Sequence, residues 1–122
     1  MLRVVIIRRN LRSYWKRVEA PGKEIATISR GARIDEDWRP ELQEKGKAEA
    51  QRLSAATGIN LAAIDFVFSL SHADSQPLFL EINYAFGREG LGGSRKFYLL
   101  LFDALREWLE DKGFDPGLVT LL

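Results

Sequence analysis

Asp65, Glu81 and Asn83 are the residues whose types and spacing could do chemistry. Asp65 stands inside an otherwise almost continuously apolar run, Leu61 to Leu70, and Glu81 and Asn83 stand two apart in Leu78-Phe79-Leu80-Glu81-Ile82-Asn83. Residues i and i+2 of a strand project to one face, so Glu81 and Asn83 offer their oxygens to one point. If the two runs are neighbours in a hairpin, Asp65 joins them. A charge inside an apolar strand is costly unless it is paired or bound to a cation. Two carboxylates and an amide oxygen form a hard donor set of the type that holds Mg²⁺ or Mn²⁺, often together with nucleotide phosphates. The same carboxylates would also be satisfied by arginines such as Arg3 or Arg17, or by solvent.

Arg3, Arg12 and Arg17 lie in or beside the first apolar segments, where a guanidinium on the right sheet face could hold phosphate oxygens bidentately. Any one strand arginine is more ordinarily a solvated charge. The glycine-rich stretch Gly87 to Ser94 carries neither the P-loop nor the dinucleotide-binding fingerprint. Gly92-Gly93-Ser94 precedes a helical pattern, and a helix N-terminus favours an anion such as a substrate carboxylate. The plainer alternative is a loop that needs positive φ, with Ser94 as N-cap. Tyr14 and Trp15 read as core and sheet surface, not as a stacking platform, and His72, in a polar turn, reads as a surface residue.

Composition narrows the chemistry further. The chain has 122 residues, no cysteine and a single histidine. That excludes a disulfide scaffold, a thiolate metal site and a cysteine nucleophile, and it disfavours histidine-based triads and zinc sites. Eighteen Lys and Arg against 17 Asp and Glu leave a charge of +1, too small a bias to argue for nucleic acid or an anionic membrane. No segment is apolar for the roughly 18 residues needed to cross a bilayer, and Leu2 to Ile7 is too short for a signal-peptide core. The expected location is therefore cytoplasmic, with no nucleic-acid or membrane partner.

These residues must be positioned by a small set of elements. Arg3 to Ile7 and Arg12 to Val18 read as strands joined around Asn10, and Glu24 to Ser29 as a third extended piece. Pro21-Gly22 marks a turn, and 34–40 reads as loop, with Pro40 suited to a first helical turn. Glu41 to Thr57 is predicted helical, with Leu42, Ala48, Ala50, Leu53 and Ala56 loosely on one side and Gly58 as its stop. Leu61 to Leu70 and Leu78 to Asn83 are predicted strands. A second helix is predicted from about Arg95 to Lys112, with Phe97, Leu100, Leu101, Ala104, Leu105, Trp108 and Leu109 as its apolar stripe. The expected fold class is α+β, a mainly antiparallel sheet with two principal helices packed on it. Residues 1–113 form the domain, and 114–122 is an apolar tail that should pack on something.

Taken together, Thr57 to Phe66, Leu80-Glu81-Ile82-Asn83-Tyr84 and the Gly87 to Ser94 loop resemble the C-terminal part of an ATP-grasp ligase. The nearest branch is the glutathione synthetase-like and ribosomal-protein-glutamylating group. Leu2 to Ile7, Tyr14 to Arg17 and Ile28 to Ala32 resemble the strands that precede that part in the family. The resemblance implies ATP bound between two α+β subdomains, phosphorylation of a substrate carboxylate to an acyl phosphate, and its displacement by an amine or thiol. It implies that Asp65, Glu81 and Asn83 hold one or two Mg²⁺ (or Mn²⁺) ions bridging the ATP phosphates. Arg17 matches the strand arginine that contacts the transferring phosphate, Arg3 joins it in cofactor binding, and Arg88, Gly92, Gly93 and Ser94 would contact the acceptor substrate.

Thr27 stands where relatives commonly carry an Asn, and is a weaker partner for phosphate or metal. The resemblance begins after the family's adenine hinge, so the lysine that contacts the α-phosphate, the flexible phosphate-covering loop and the domain before them have no counterpart. What it implies is the metal-binding wall of a site without the opposite wall, with little or no ligase activity alone. The alternative is a degenerate remnant acting as a non-catalytic interaction domain, a homo-oligomer formed through apolar surface.

Overall fold

The computed structural model describes residues 1–18, 32–69 and 74–118. Its centre is β1 (Leu2–Ile7), whose β-branched run is buried along its whole length because it is hydrogen-bonded on both edges and covered on both faces. β2 (Asn10–Val18) pairs with it on one side and β4 (Leu61–Val67) on the other, both antiparallel. β3 (Ala32–Asp35) flanks β2, and β5 (Leu78–Asn83) flanks β4, giving a five-stranded antiparallel sheet in the order β3-β2-β1-β4-β5. The coarse expectation of an α+β fold with an antiparallel sheet and two helices therefore holds.

The helices lie on opposite faces. α1 (Pro40–Thr57) begins at the proline suited to that position and stops at Gly58, which adopts the left-handed conformation at φ 78°. It packs on Leu2, Val4, Ile6, Trp15, Ile64 and Phe66 through Leu42 and Ala50. Ala48 and Ala56, expected on the apolar side, are exposed, while Gln43 and Gly46 are buried in their place. The buried amide of Gln43 is fully used: it accepts from Ser13 Oγ (2.8 Å) and donates to the carbonyls of Glu36 and Trp38 (3.0 and 2.8 Å). α2 (Ser94–Asp111) covers Val5, Ile7, Tyr14 and Ala63 through Phe97 and Ala104, with Leu100 and Leu101 partly buried. Leu105 and Trp108 of its expected stripe are exposed.

Two local expectations are corrected. Residues 34–40 read as loop, yet Ala32–Asp35 is a strand, since Trp15 to Val18 offer it a backbone edge that no local preference announces. Ser94 is the first helical residue and Gly93 the cap, without a side-chain capping bond. The expected strand Glu24 to Ser29, the turn at Pro21-Gly22, the family positions Thr27 and Ile28 to Gly31, and His72 lie outside the described residues. Within 114–122, a short 3₁₀ turn (Pro116–Leu118) packs on α2, while Phe114 is exposed. Among the described residues no helix is long and apolar enough to cross a membrane.

Candidate functional site

The register of three strands builds the candidate site. Arg3 of β1 lies opposite Asp65 of β4, and Asp65 opposite Glu81 of β5, with Asn83 two residues further along on the same face. That face is the one α2 covers elsewhere, because Val5 and Ala63 share the parity of Arg3 and Asp65. The hairpin expected of the two apolar runs is therefore formed, and it sets Asp65, Glu81 and Asn83 side by side.

Asp65 is fully buried and each of its two oxygens accepts a hydrogen bond. Its Oδ1 accepts from Arg3 Nε at 2.7 Å and its Oδ2 from Arg3 Nη2 at 2.8 Å, the bidentate geometry in which arginine and carboxylate fit best. Lys16 Nζ stands 3.8 Å from Oδ2, close enough to share charge and too far for a hydrogen bond. Burial lowers the Lys16 pKa, with the Asp65 charge opposing and Arg3 reinforcing the shift. Burial also acts to lower that of Arg3, but the Asp65 hydrogen bond and charge outweigh it and the net shift is upward. Beside Arg3 in the register lies Tyr14, its phenol pushed up by burial against the opposing pull of the Arg3 charge. Gly90 rests directly on the Tyr14 ring, where a methyl group would collide with ring carbons. The glycine-rich loop is thus seated on the floor of the same polar cluster.

Glu81 is exposed and Asn83 half-buried, and Asn83 Nδ2 donates to Glu81 Oε1 at 3.2 Å. Among the described residues there is no group of three or more His, Cys, Asp or Glu placed to hold a metal ion; the set is two carboxylates and an amide. Its chemistry fits a hard divalent cation at Glu81 and Asn83, provided the amide turns its oxygen toward the ion. Asp65 can add the lone pairs its arginine leaves, since a carboxylate has about four acceptor positions. Those same residues would face the phosphates of a nucleotide whose metal they held.

Arg17 is not part of this cluster. Consecutive strand residues point to opposite faces, so Lys16 joins Asp65 while Arg17 lies on the α1 side. There its guanidinium stacks 4.5 Å from the Trp38 ring and bonds Asp35 Oδ2 at 3.0 Å. Arg12 lines a recess of about 600 Å³ along the outer edge of β2, together with Ser13, Lys47 and Lys96. None of Arg3, Lys16, Asp65, Glu81 and Asn83 borders that recess, so the candidate site lies apart from it. Arg88 and Ser94 do meet, Nη1 to Oγ at 3.3 Å, with Arg88 also 4.6 Å from the Tyr98 ring. Gly92 and Gly93 hold φ values of 87° and 97°, and their amides donate to the carbonyls of Glu89 and Arg88. The amides of Gly92 and Gly93 are thus bonded within the loop itself.

Sequence reasoning missed Lys16 and Tyr14 as the floor of the site. The signal was present in the i, i+2 spacing of Tyr14 and Lys16, but nothing nearby said which parity faces Asp65. No protein-family model matches the chain, and neither a curated protein nor a solved structure matches it.

Proposed function

We propose that this chain is the metal- and ATP-holding part of an ATP-dependent ligase, cytoplasmic, that joins a carboxylate to an amine or thiol through an acyl phosphate. The observation that carries the reading is the β4–β5 register, which puts Asp65 across from Glu81 and leaves Glu81 and Asn83 in contact at the open side of a buried cation pair. A divalent ion held there would neutralise phosphate charge and align the γ-phosphoryl group. Glu81 and Asn83 would supply its oxygens, with Asp65, held by Arg3, across from Glu81 on the neighbouring strand. In the reaction a substrate carboxylate oxygen bonds to the γ-phosphorus as the bond to ADP breaks. The amine or thiol then attacks the carbonyl carbon, and inorganic phosphate and a proton leave. Arg88 and Ser94, which meet at the rim of the loop, would receive the acceptor.

The test is metal and nucleotide binding by the chain itself: Mn²⁺ titration followed by electron paramagnetic resonance, and calorimetry with ATP in the presence and absence of Mg²⁺. The expected result is Mg²⁺-dependent ATP binding, weakened about tenfold or more by Glu81→Gln, with loss of the bound Mn²⁺ signal in the same variant. Tight ATP binding indifferent to Mg²⁺ and to Glu81→Gln would sink the metal assignment. Absence of both metal and nucleotide binding would leave the non-catalytic interaction domain as the better reading.

A further inference from the structure

Strand β2 presents two adjacent cations to two different sides of the sheet, and only one of them can meet a ligand held by Glu81 and Asn83. Arg17 is committed on the α1 side, stacked on Trp38 and hydrogen-bonded to Asp35. To reach the other face it would have to cross the sheet. Lys16 is already on that face, largely buried, and Asp65 is its ion-pair partner at 3.8 Å. Both oxygens of Asp65 are taken by Arg3 at shorter distances. An ammonium carries three N–H donors, and among the described residues this one makes a single long contact. It is therefore a buried, under-coordinated cation next to a carboxylate that another cation has neutralised. An oxygen-rich anion seated between Lys16 and the Glu81–Asn83 pair would supply the missing acceptors and offset the cost of burying the charge.

We infer that Lys16, and not Arg17, is the side chain that contacts the terminal phosphates of the nucleotide. This rests on the reading of the site as a metal–ATP wall. The contact has a definite geometry: a point charge at the end of a flexible stem, approaching the phosphates from the β2 side, with the metal set on the β5 side and Arg3–Asp65 as the spacer between them. Arg17 instead serves the packing of α1 against the sheet, through Trp38 and Asp35.

The experiment is calorimetric titration of Mg·ATP into the wild-type chain, Lys16→Met, Lys16→Arg and Arg17→Met, each checked for folding by far-ultraviolet circular dichroism and urea denaturation. Losing a charge-assisted contact to phosphate should weaken ATP binding about ten- to a hundredfold in Lys16→Met. Lys16→Arg should recover most of that loss. Arg17→Met should bind ATP within about twofold of wild type while unfolding at lower urea. If Lys16→Met does not fold, Lys16→Gln, which keeps the stem polar, carries the same comparison. Wild-type binding that survives loss of the Lys16 charge, or that falls in Arg17→Met as it does in Lys16→Met, overturns this inference and leaves the metal–ATP reading standing. A wild-type chain that does not bind Mg·ATP overturns that reading, and this inference with it.

Discussion

The face of the sheet that meets α1 and the face that meets α2 are built from alternate residues of the same strands, yet they solve different problems. On the α1 side, Leu2, Val4, Ile6, Trp15, Ile64 and Phe66 form one apolar layer, in which Ser13 bonds Gln43, and its charges, Arg17 and Asp35, pair beside Trp38 at partly exposed positions. On the α2 side, the layer is apolar only beneath the helix, around Val5, Ile7 and Ala63. Beyond it lie Arg3, Lys16, Asp65 and Glu81. A purely structural sheet would repeat the first solution on both faces, because buried ion pairs gain little over well-packed apolar groups. The charged half therefore marks where the fold accepts a cost that packing alone does not require. That contrast is the physical ground for looking for a ligand there.

The comparison can be broken by mutation. The largest effect is expected at Asp65: Asp65→Ala leaves Arg3 and Lys16 buried without their carboxylate and should cost about 3–5 kcal/mol. Its neighbour Ile64, on the opposite face, should lose only about 0.5–1.5 kcal/mol in Ile64→Val. Urea denaturation measures both. Equal costs would mean that the charged half does not hold the sheet together.

A smaller contrast separates two glycines that touch the sheet from opposite sides. Gly90→Ala drives a methyl group into the Tyr14 ring, whose burial leaves it nowhere to turn, and should destabilise by about 1–3 kcal/mol. Gly46→Ala clashes with one methyl at the end of the Leu2 side chain, where Gly90→Ala meets three carbons of a rigid ring. It also gains roughly 1 kcal/mol of helix propensity, so its net cost should be much smaller. Thermal unfolding of the two variants side by side decides it.

The smallest effect concerns the surface pair on the α1 side. The Arg17 hydrogen bond holds the Asp35 carboxyl below its ordinary 3.8, against a smaller upward effect of burial, with the backbone amides of Asp37 and Trp38 adding to the lowering. A carboxyl whose folded pKa is depressed stabilises the fold above its unfolded pKa and loses that contribution as pH falls through the folded value. The melting-temperature gap between wild type and Asp35→Asn should therefore be constant down to about pH 5 and close below pH 3.8. A gap that persists in strong acid would refute the pairing.

Much of the fold was legible before any coordinates. α1 between Pro40 and Gly58, the two strands carrying the acidic residues, and the closing helix all follow from local punctuation and periodicity. β3 was not legible. Four residues, Ala-Arg-Ile-Asp, carry too little pattern to announce a strand, and what makes them one is the free edge of β2. The acidic set was legible because Glu81 and Asn83 share a face by spacing alone.

Which cation serves that set was not legible, and the reason is specific. The run Ser13-Tyr14-Trp15-Lys16-Arg17 places two aromatics before two cations, so sliding the alternation by one residue yields the same chemical pattern. By itself the sequence determined that β2 would bring one aromatic and one cation to each side of the sheet. Only the tertiary structure decided the phase. α1 takes Trp15 into its apolar layer, which sends Tyr14 and Lys16 to Asp65 and turns Arg17 away. Alternation is a property of the strand, but its zero point is set by what packs against it.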